Sequence, residues 1–164
     1  MSAQLILIGG VSRSGKTRIA EAICARYNHC AHVDQDDFVR SKNELPTIQD
    51  RFDWEQPESI DWPRLIQHIN QLEETNDIII VEGIFAFCHT ELNKRADLKV
   101  YLRLGEADFL NKRKQETRWG AEPDWYIYHV WQAHENWKNP YNISFDLQGN
   151  ASEQLIDQLI SSLR

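Results

Sequence analysis

Apolar runs and helical periodicities alternate along the chain, the pattern of helices packed on a mostly parallel sheet. Gln4 to Gly9 reads as a buried first strand, and Ile19, Ala20, Ile23, Cys24 and Tyr27 follow at helical spacing. Ala31 to Asp34 then reads as a short second strand, completing one β-α-β unit. Asp77 to Val81 predicts the most strongly buried strand, because its β-branched run has no polar face to turn to water. Leu98 to Leu104 predicts the next strand, with a short helical connector before it, and about Asn142 to Leu147 the last. A helix opening near Asp61 and Pro63 runs to about Thr75, burying Leu65, Ile66, Ile69 and Leu72. Glu106 to Arg118 reads as a basic helix, and after Gly120 and Pro123 an aromatic-rich helix runs to about Trp137. Asn150 and Glu153 suggest a capping box for a final helix that turns Leu155, Ile156, Leu159, Ile160 and Leu163 inward. Residues 37–60 are polar, contain Pro46 and Pro57, and predict a long loop with at most short helical pieces; loops of that length in small domains are usually functional.

At 164 residues the chain fits one domain, 1–164, around one sizeable core. With 18 Lys and Arg against 25 Asp and Glu, the net charge of -7 provides no global basic field for nucleic acid or an anionic membrane. Cys24, Cys30 and Cys88 are odd in number, lack a C-x-x-C pair and lie in or beside apolar stretches, which suits free thiols in a reducing compartment. The apolar runs are too short for a membrane span or a signal peptide. The expectation is a soluble cytoplasmic protein, monomer or homodimer, with a small-molecule partner.

Chemistry enters at Gly10 to Thr17, GVSRSGKT, which fits G-x-x-x-x-G-K-[ST] directly between a strand and a helix. In that context the glycines let the backbone curl so that several N–H groups face one anion, and the helix N-terminus adds positive potential. Gly10, Ser12, Ser14, Gly15, Lys16 and Thr17 are therefore candidate nucleotide-binding residues, Lys16 reaching the β- and γ-phosphates and Thr17 a ligand for Mg²⁺. ATP and GTP are both candidate donors.

Carboxylates stand where phosphoryl transfer to an alcohol needs them, at the carboxyl ends of neighbouring strands. Asp36 and Asp37 follow the second strand, where one could act as general base, and Glu82 ends the third, where it could serve the metal. Asp53, between Phe52 and Trp54, is placed to accept hydrogen bonds from sugar hydroxyls. Lys112, Arg113, Lys114 and Arg118 cluster ahead of a Gly/Pro break, the composition of a lid, about 106–125, that would close over phosphates. The bland alternative is a solvated helix face whose bases pair with Glu106, Asp108 and Glu116.

These features together resemble the nicotinamide riboside kinase and uridine kinase branch of P-loop kinases. The resemblance rests on GVSRSGKT, on QDDF at Gln35 to Phe38, on Phe52-Asp53 in a segment ending PESIDW, on Val81-Glu82-Gly83, on Thr117-Arg118 closing the basic helix, and on His129 to Trp131, in the family's order over nearly the whole chain. It implies a three-layer P-loop NTPase fold with a five-stranded parallel sheet of order 2-3-1-4-5, helices on both faces and a basic helical lid. It also implies an ATP-dependent kinase acting on the ribose 5'-hydroxyl of a ribonucleoside, nicotinamide riboside before uridine or cytidine. It makes Asp36 the general base, beside Lys16 and Arg118 as catalytic residues, and puts Asp53 on the ribose with Phe52 and Trp54 beside it. Glu82 and Thr17 fall to the metal, Arg113 and Arg118 to the nucleotide. The chain departs from the family at Gln115, where another arginine is usual, and at Phe52, which replaces a tyrosine.

Rival classes lack their parts. A GTPase switch needs D-x-x-G on the third strand and N-K-x-D for guanine, whereas the strand reads Val-Glu-Gly and Asn111-Lys112-Arg113-Lys114 lacks the acid. A kinase for phosphorylated acceptors needs arginines around the second phosphate, but 34–61 offers only Arg40, Lys42 and Arg51 among many acids. A nucleotide-binding protein that keeps the fold without catalysis is the remaining alternative, discriminated by whether Lys16 and Asp36, both present, support turnover.

Overall fold

In the computed structural model, which describes residues 3–118, 120–149 and 151–163, the buried apolar runs form a central parallel sheet. Its strands are β1 (Gln4–Gly10), β2 (Cys30–Asp34), β5 (Ile78–Gly83), β6 (Leu98–Arg103) and β7 (Phe145–Gln148), ordered β2-β5-β1-β6-β7. The labels differ from the expected 2-3-1-4-5 only because a two-stranded hairpin, β3 (Thr47–Ile48) and β4 (Arg51–Phe52), lies inside the polar loop and takes two places in the count. That hairpin was invisible to periodicity, since two residues are too short to show alternation. The rest of the loop contains single 3₁₀ turns at Gln35–Phe38, Lys42–Glu44 and Pro57–Ser59.

Each central strand is apolar on both sides because each faces helices twice. In β1, Leu5 and Leu7 join one cluster with Val33, Ile79 and Val81, while Ile6 and Ile8 join the other with Ile78 and Ile80. The first cluster is closed by Leu65 and Ile69 of α2 (Trp62–Leu72), the second by Ile19 and Ile23 of α1 (Lys16–Cys24) and Ile156 and Leu159 of α6 (Glu153–Ser161). α3 (Thr90–Arg95) is the short connector before β6. A third cluster joins Phe109 of α4 (Glu106–Lys114) to Tyr126, Ile127, Val130 and Trp131 of α5 (Asp124–Trp137), and Val11 of the glycine-rich loop packs into it. The aromatic helix thus anchors the lid segment beside the loop.

Several boundaries differ from expectation for local reasons. The basic helix stops at Lys114, with Gln115 as its C-cap, so Thr117 and Arg118 lie beyond it. Asp61 caps α2 as expected, accepting from Arg64 N–H at 3.2 Å with proline in the first turn. α6 is capped by Ser152, whose hydroxyl accepts from Leu155 N–H at 3.4 Å, while Asn150 and Trp119 lie outside the described residues. Cys24 and Cys30, expected as free thiols, are joined as a disulfide, because the short turn after α1 returns their Cα atoms to 5.1 Å, within bridging reach. Cys88 is free; burial pushes its thiol up to about 12. Among the described residues no helix is long and apolar enough to cross a membrane.

Candidate active site

β1 delivers the chain to the phosphate-binding loop at the carboxyl edge of the sheet. Gly10 (φ 153°) and Gly15 (φ 97°) take left-side conformations, and a Cβ on Gly10 would meet the Leu102 carbonyl oxygen at 2.6 Å; glycine is required there for backbone and space together. Lys16 is 9% exposed, and its Nζ donates to the Val11 carbonyl at 3.2 Å without touching a carboxylate. Burial lowers its pKa, opposed by the charges of Glu82, Asp36, Asp34 and Glu55. Ser14 Oγ is buried with no hydrogen-bond partner among the described residues. The loop therefore keeps hydrogen-bonding capacity that no described residue uses.

Beside it, Thr17 Oγ1 donates to Glu82 Oε1 at 2.6 Å, and His32 Nε2 lies 3.5 Å from the same oxygen. Burial pushes Glu82 up, but the attraction of His32 and Lys16 and the Thr17 hydrogen bond outweigh it and keep the carboxyl below its ordinary range. A hydroxyl and an ionised carboxylate in contact are hard oxygen donors suited to Mg²⁺, so the residues present fit that ion. Among the described residues no cluster of three or more His, Cys, Asp or Glu could enclose a metal, so an ion here would take its remaining ligands from phosphate and water.

β2 runs into a 3₁₀ turn that presents Asp36, whose N–H donates to Asp34 Oδ1 at 2.9 Å. Asp36 is open to solvent at its surface, yet the protein atoms crowded around its carboxyl raise it above the ordinary range against the pull of Lys16. Burial raises Asp34 to about 6. The lid meets the loop through Arg113, whose Nη1 donates to Ser12 Oγ at 3.0 Å while its Nε and Nη2 grip Glu122 at 2.7 and 2.9 Å, and through Glu116.

Arg118, expected over the phosphates, is 63% exposed and paired with Glu116 at 2.7 Å, the carboxylate that also holds Arg13 of the loop at 2.8 Å. For this residue the structure contains the pairing with Glu116, whose side chain is 6% exposed. Asp53, expected to face sugar hydroxyls, is 3% exposed. Its Oδ1 lies 2.9 Å from His129 Nε2 and accepts from Glu55 N–H at 3.1 Å, and its Oδ2 accepts from Gln56 Nε2 at 2.7 Å. Burial pushes Asp53 up, but those hydrogen bonds keep it below its ordinary range. Phe52 and Trp54 meet edge to face at 6.2 Å, with Lys42 Nζ 5.9 Å from the Phe52 ring centre. His32, Asp34, Gln56 and Glu122 had no motif to mark them; Glu122 in particular is read only once Arg113 is seen to fold back across the Gly/Pro break.

No family model matches the chain. It is 29% identical over 132 residues to a uridine kinase of Chloroflexus aurantiacus, an alignment covering 62% of this chain and 63% of that one. It is 25% identical over 177 residues to nicotinamide riboside kinase 1 of Rattus norvegicus, covering 94% and 90%. The chain is similar to uridine kinases and nicotinamide riboside kinases. It spans about 63% of the length of the first uridine kinases it matches. Among solved structures it superposes on a possible uridine kinase from Bacillus stearothermophilus with a TM-score of 0.59, 18% identity and 90% and 89% coverage. A gluconokinase from Sinorhizobium meliloti gives a TM-score of 0.61, 16% identity and 98% and 91% coverage. At those identities the likeness establishes the fold alone.

Proposed function

We propose that the protein is a phosphotransferase that moves the terminal phosphoryl group of ATP, or of GTP, to the 5'-hydroxyl of a ribonucleoside. The observation that carries this reading is the buried Lys16 ammonium, free of any carboxylate contact, beside the Thr17–Glu82 oxygen pair at 2.6 Å. Lys16 and the loop N–H groups bind the β- and γ-phosphates. Mg²⁺, held by Thr17 and Glu82, neutralises phosphate charge when bound. Asp36 accepts the proton of the acceptor hydroxyl as its oxygen bonds to the γ-phosphorus and the bond to the β-γ bridging oxygen breaks, leaving the nucleoside diphosphate. A carboxyl raised above its ordinary range is a stronger base than a free one, which suits this task. Arg113, docked on Ser12, lies ready to meet the transferring group, and release of Arg118 from Glu116 would bring a second guanidinium.

The preferred acceptor in this proposal is nicotinamide riboside, with uridine and cytidine as the second reading supported by the similarity to uridine kinases. Asp36, Asp53 and Glu55 gather negative charge on the acceptor side, which favours a cationic ring. The aromatic contribution is smaller than the composition of the loop suggests, since Lys42 already approaches Phe52, and Arg51 lies 5.1 Å from the Tyr126 ring centre.

The test is phosphoryl transfer from ATP and Mg²⁺ to these three ribosides. Lys16→Ala is expected to lower turnover by about a thousandfold or more with an unchanged melting temperature. Near-normal turnover in that variant removes the phosphate role of Lys16, wild type that transfers to none of the three removes the riboside kinase reading, and uridine used as well as nicotinamide riboside removes the preference.

A further inference from the structure

His32 is polar at a place where packing calls for an apolar side chain. It lies on β2, an edge strand of the sheet, paired in register with Ile80 of β5. Alternation along β2 sends Ala31 and Val33 to the cluster closed by α2 and leaves Cys30, His32 and Asp34 on the α1 face, where Cys30 packs against the cluster of Ile78 and Ile80. An aliphatic residue at 32 would extend that cluster. The imidazole instead ends with Nε2 shielded from solvent, without a hydrogen-bond partner among the described residues and 3.5 Å from Glu82 Oε1.

The same oxygen accepts from Thr17 Oγ1 at 2.6 Å, so two elements converge on it, the first turn of α1 and the edge strand. The register gives the direction of approach: Asp34 lies opposite Glu82, and His32 stands two residues nearer the amino end of the strands. His32 therefore reaches Glu82 from behind, away from the carboxyl edge where the phosphate-binding loop lies. The Thr17 hydroxyl can offer a lone pair to Mg²⁺ and its hydrogen to Glu82 together only while the carboxylate keeps its present orientation, and the terminal torsion of a glutamate is soft. A second donor on Oε1 fixes it. A small shift of the ring closes the 3.5 Å gap to a hydrogen-bond length of about 2.9 Å, and the bond needs only a hydrogen on Nε2, which the ring can carry charged or neutral.

We infer that His32 is a positioning residue whose Nε2–H holds the Glu82 carboxylate in the orientation that presents it, together with the Thr17 hydroxyl, to the Mg²⁺ of the bound nucleotide. This rests on the kinase reading above and adds to it a group that acts through Glu82 rather than on the substrate.

The experiment compares wild type with His32→Phe, which keeps a ring and loses the donor, and His32→Gln, whose amide can bring an N–H to similar reach. Mn²⁺ stands in for Mg²⁺, and its binding to the protein with ADP is followed by the loss of the free-ion electron paramagnetic resonance signal, measured against ADP alone and without turnover. His32→Phe should weaken Mn²⁺ binding by about ten- to hundredfold, and His32→Gln should recover most of the loss. Binding of ADP without metal should be unchanged in both. The Mg²⁺ concentration that gives half-maximal phosphoryl transfer should rise in His32→Phe by the same factor, with KM for the acceptor unchanged. In a Glu82→Gln background His32→Phe should weaken Mn²⁺ binding no further, because the two residues act as one unit. Should His32→Phe melt lower than wild type, His32→Asn, polar but too short to bring its amide to Oε1, takes its place and should show the same loss. Mn²⁺ binding equal to wild type in the donor-free variants overturns the inference and leaves the kinase reading standing, and so does a loss that His32→Gln fails to restore or that persists in full beside Glu82→Gln. Wild type that binds Mn²⁺ and ADP in a His32-dependent way yet transfers phosphoryl to no acceptor removes the kinase reading and keeps His32 as the group that orients Glu82. Wild type that binds no Mn²⁺ with ADP overturns both.

Discussion

The two halves of the site are built differently. On the phosphate side one continuous stretch, Gly10 to Thr17, holds nearly every group, and its one distant oxygen partner, Glu82, arrives on the strand paired with β1, Ile8 lying beside it in register. On the acceptor side Asp36, Glu55, Arg113 and His129 come from four separate segments, and two of the acids, Asp34 and Glu55, are raised to about 6 and about 7. The phosphate side is pre-formed by backbone geometry, which the chain repeats whatever the ligand. The acceptor side carries acids raised by burial, and shifted acids gathered near a phosphate site are a place to look for ligand contacts. A phosphate site needs the same anion in every relative, whereas an acceptor site must differ whenever the substrate does.

The sharpest way to break this contrast is at Asp36. Asp36→Asn is expected to lower kcat by about a hundredfold to ten-thousandfold, and Asp37→Asn only mildly, because adjacent acids in one 3₁₀ turn do not both face a common target. Steady-state rates at saturating ATP and acceptor decide it; the reverse ranking would move the base by one residue and place Asp37 at the reaction centre.

The next effect is on stability. Glu55 and Asp34 have folded pKa values above the unfolded ones, so the folded state binds more protons and stability is fully present below the unfolded values. It is then lost as pH rises, for Glu55 from 4.5 to about 7 and for Asp34 from 3.8 to about 6. The Glu55 contribution is on the order of 3 kcal/mol. Denaturant melts between pH 4 and 8 should show the decline, and Glu55→Gln should flatten its upper part. A slope unchanged by the substitution would mean that the acceptor side is as well satisfied as the phosphate side.

The smallest effect separates the two lid arginines. Arg113→Ala breaks the Ser12 contact and leaves Glu122, 7% exposed at its side chain, without its partner, so kcat/KM should fall by about tenfold to a hundredfold. Arg118→Ala removes a mostly exposed guanidinium and leaves Glu116 still paired with Arg13, so it should cost less than about threefold. Equal losses would show that the lid rearranges on binding and delivers Arg118 from Glu116 to the phosphates.

How much of this was legible in the chain follows the same division. Five sheet strands, the helices between them and the glycine-rich loop could be read because each signal is local. A β-branched run such as Ile78 to Val81 has few ways to be satisfied except between two layers of helix, and GVSRSGKT contains its own geometry. The acids at strand ends could be read from position. What only the tertiary structure decided is pairing: that Arg113 rather than Arg118 meets Ser12 of the loop, that Asp53 is spent on His129 and Gln56, and that Cys24 meets Cys30. A side chain's charge state and spare hydrogen bonds depend on neighbours brought together across the fold, 76 residues apart for Asp53 and His129. Spacing along the chain does not record those distances, because they are set by how α4, α5 and the polar loop pack onto the sheet.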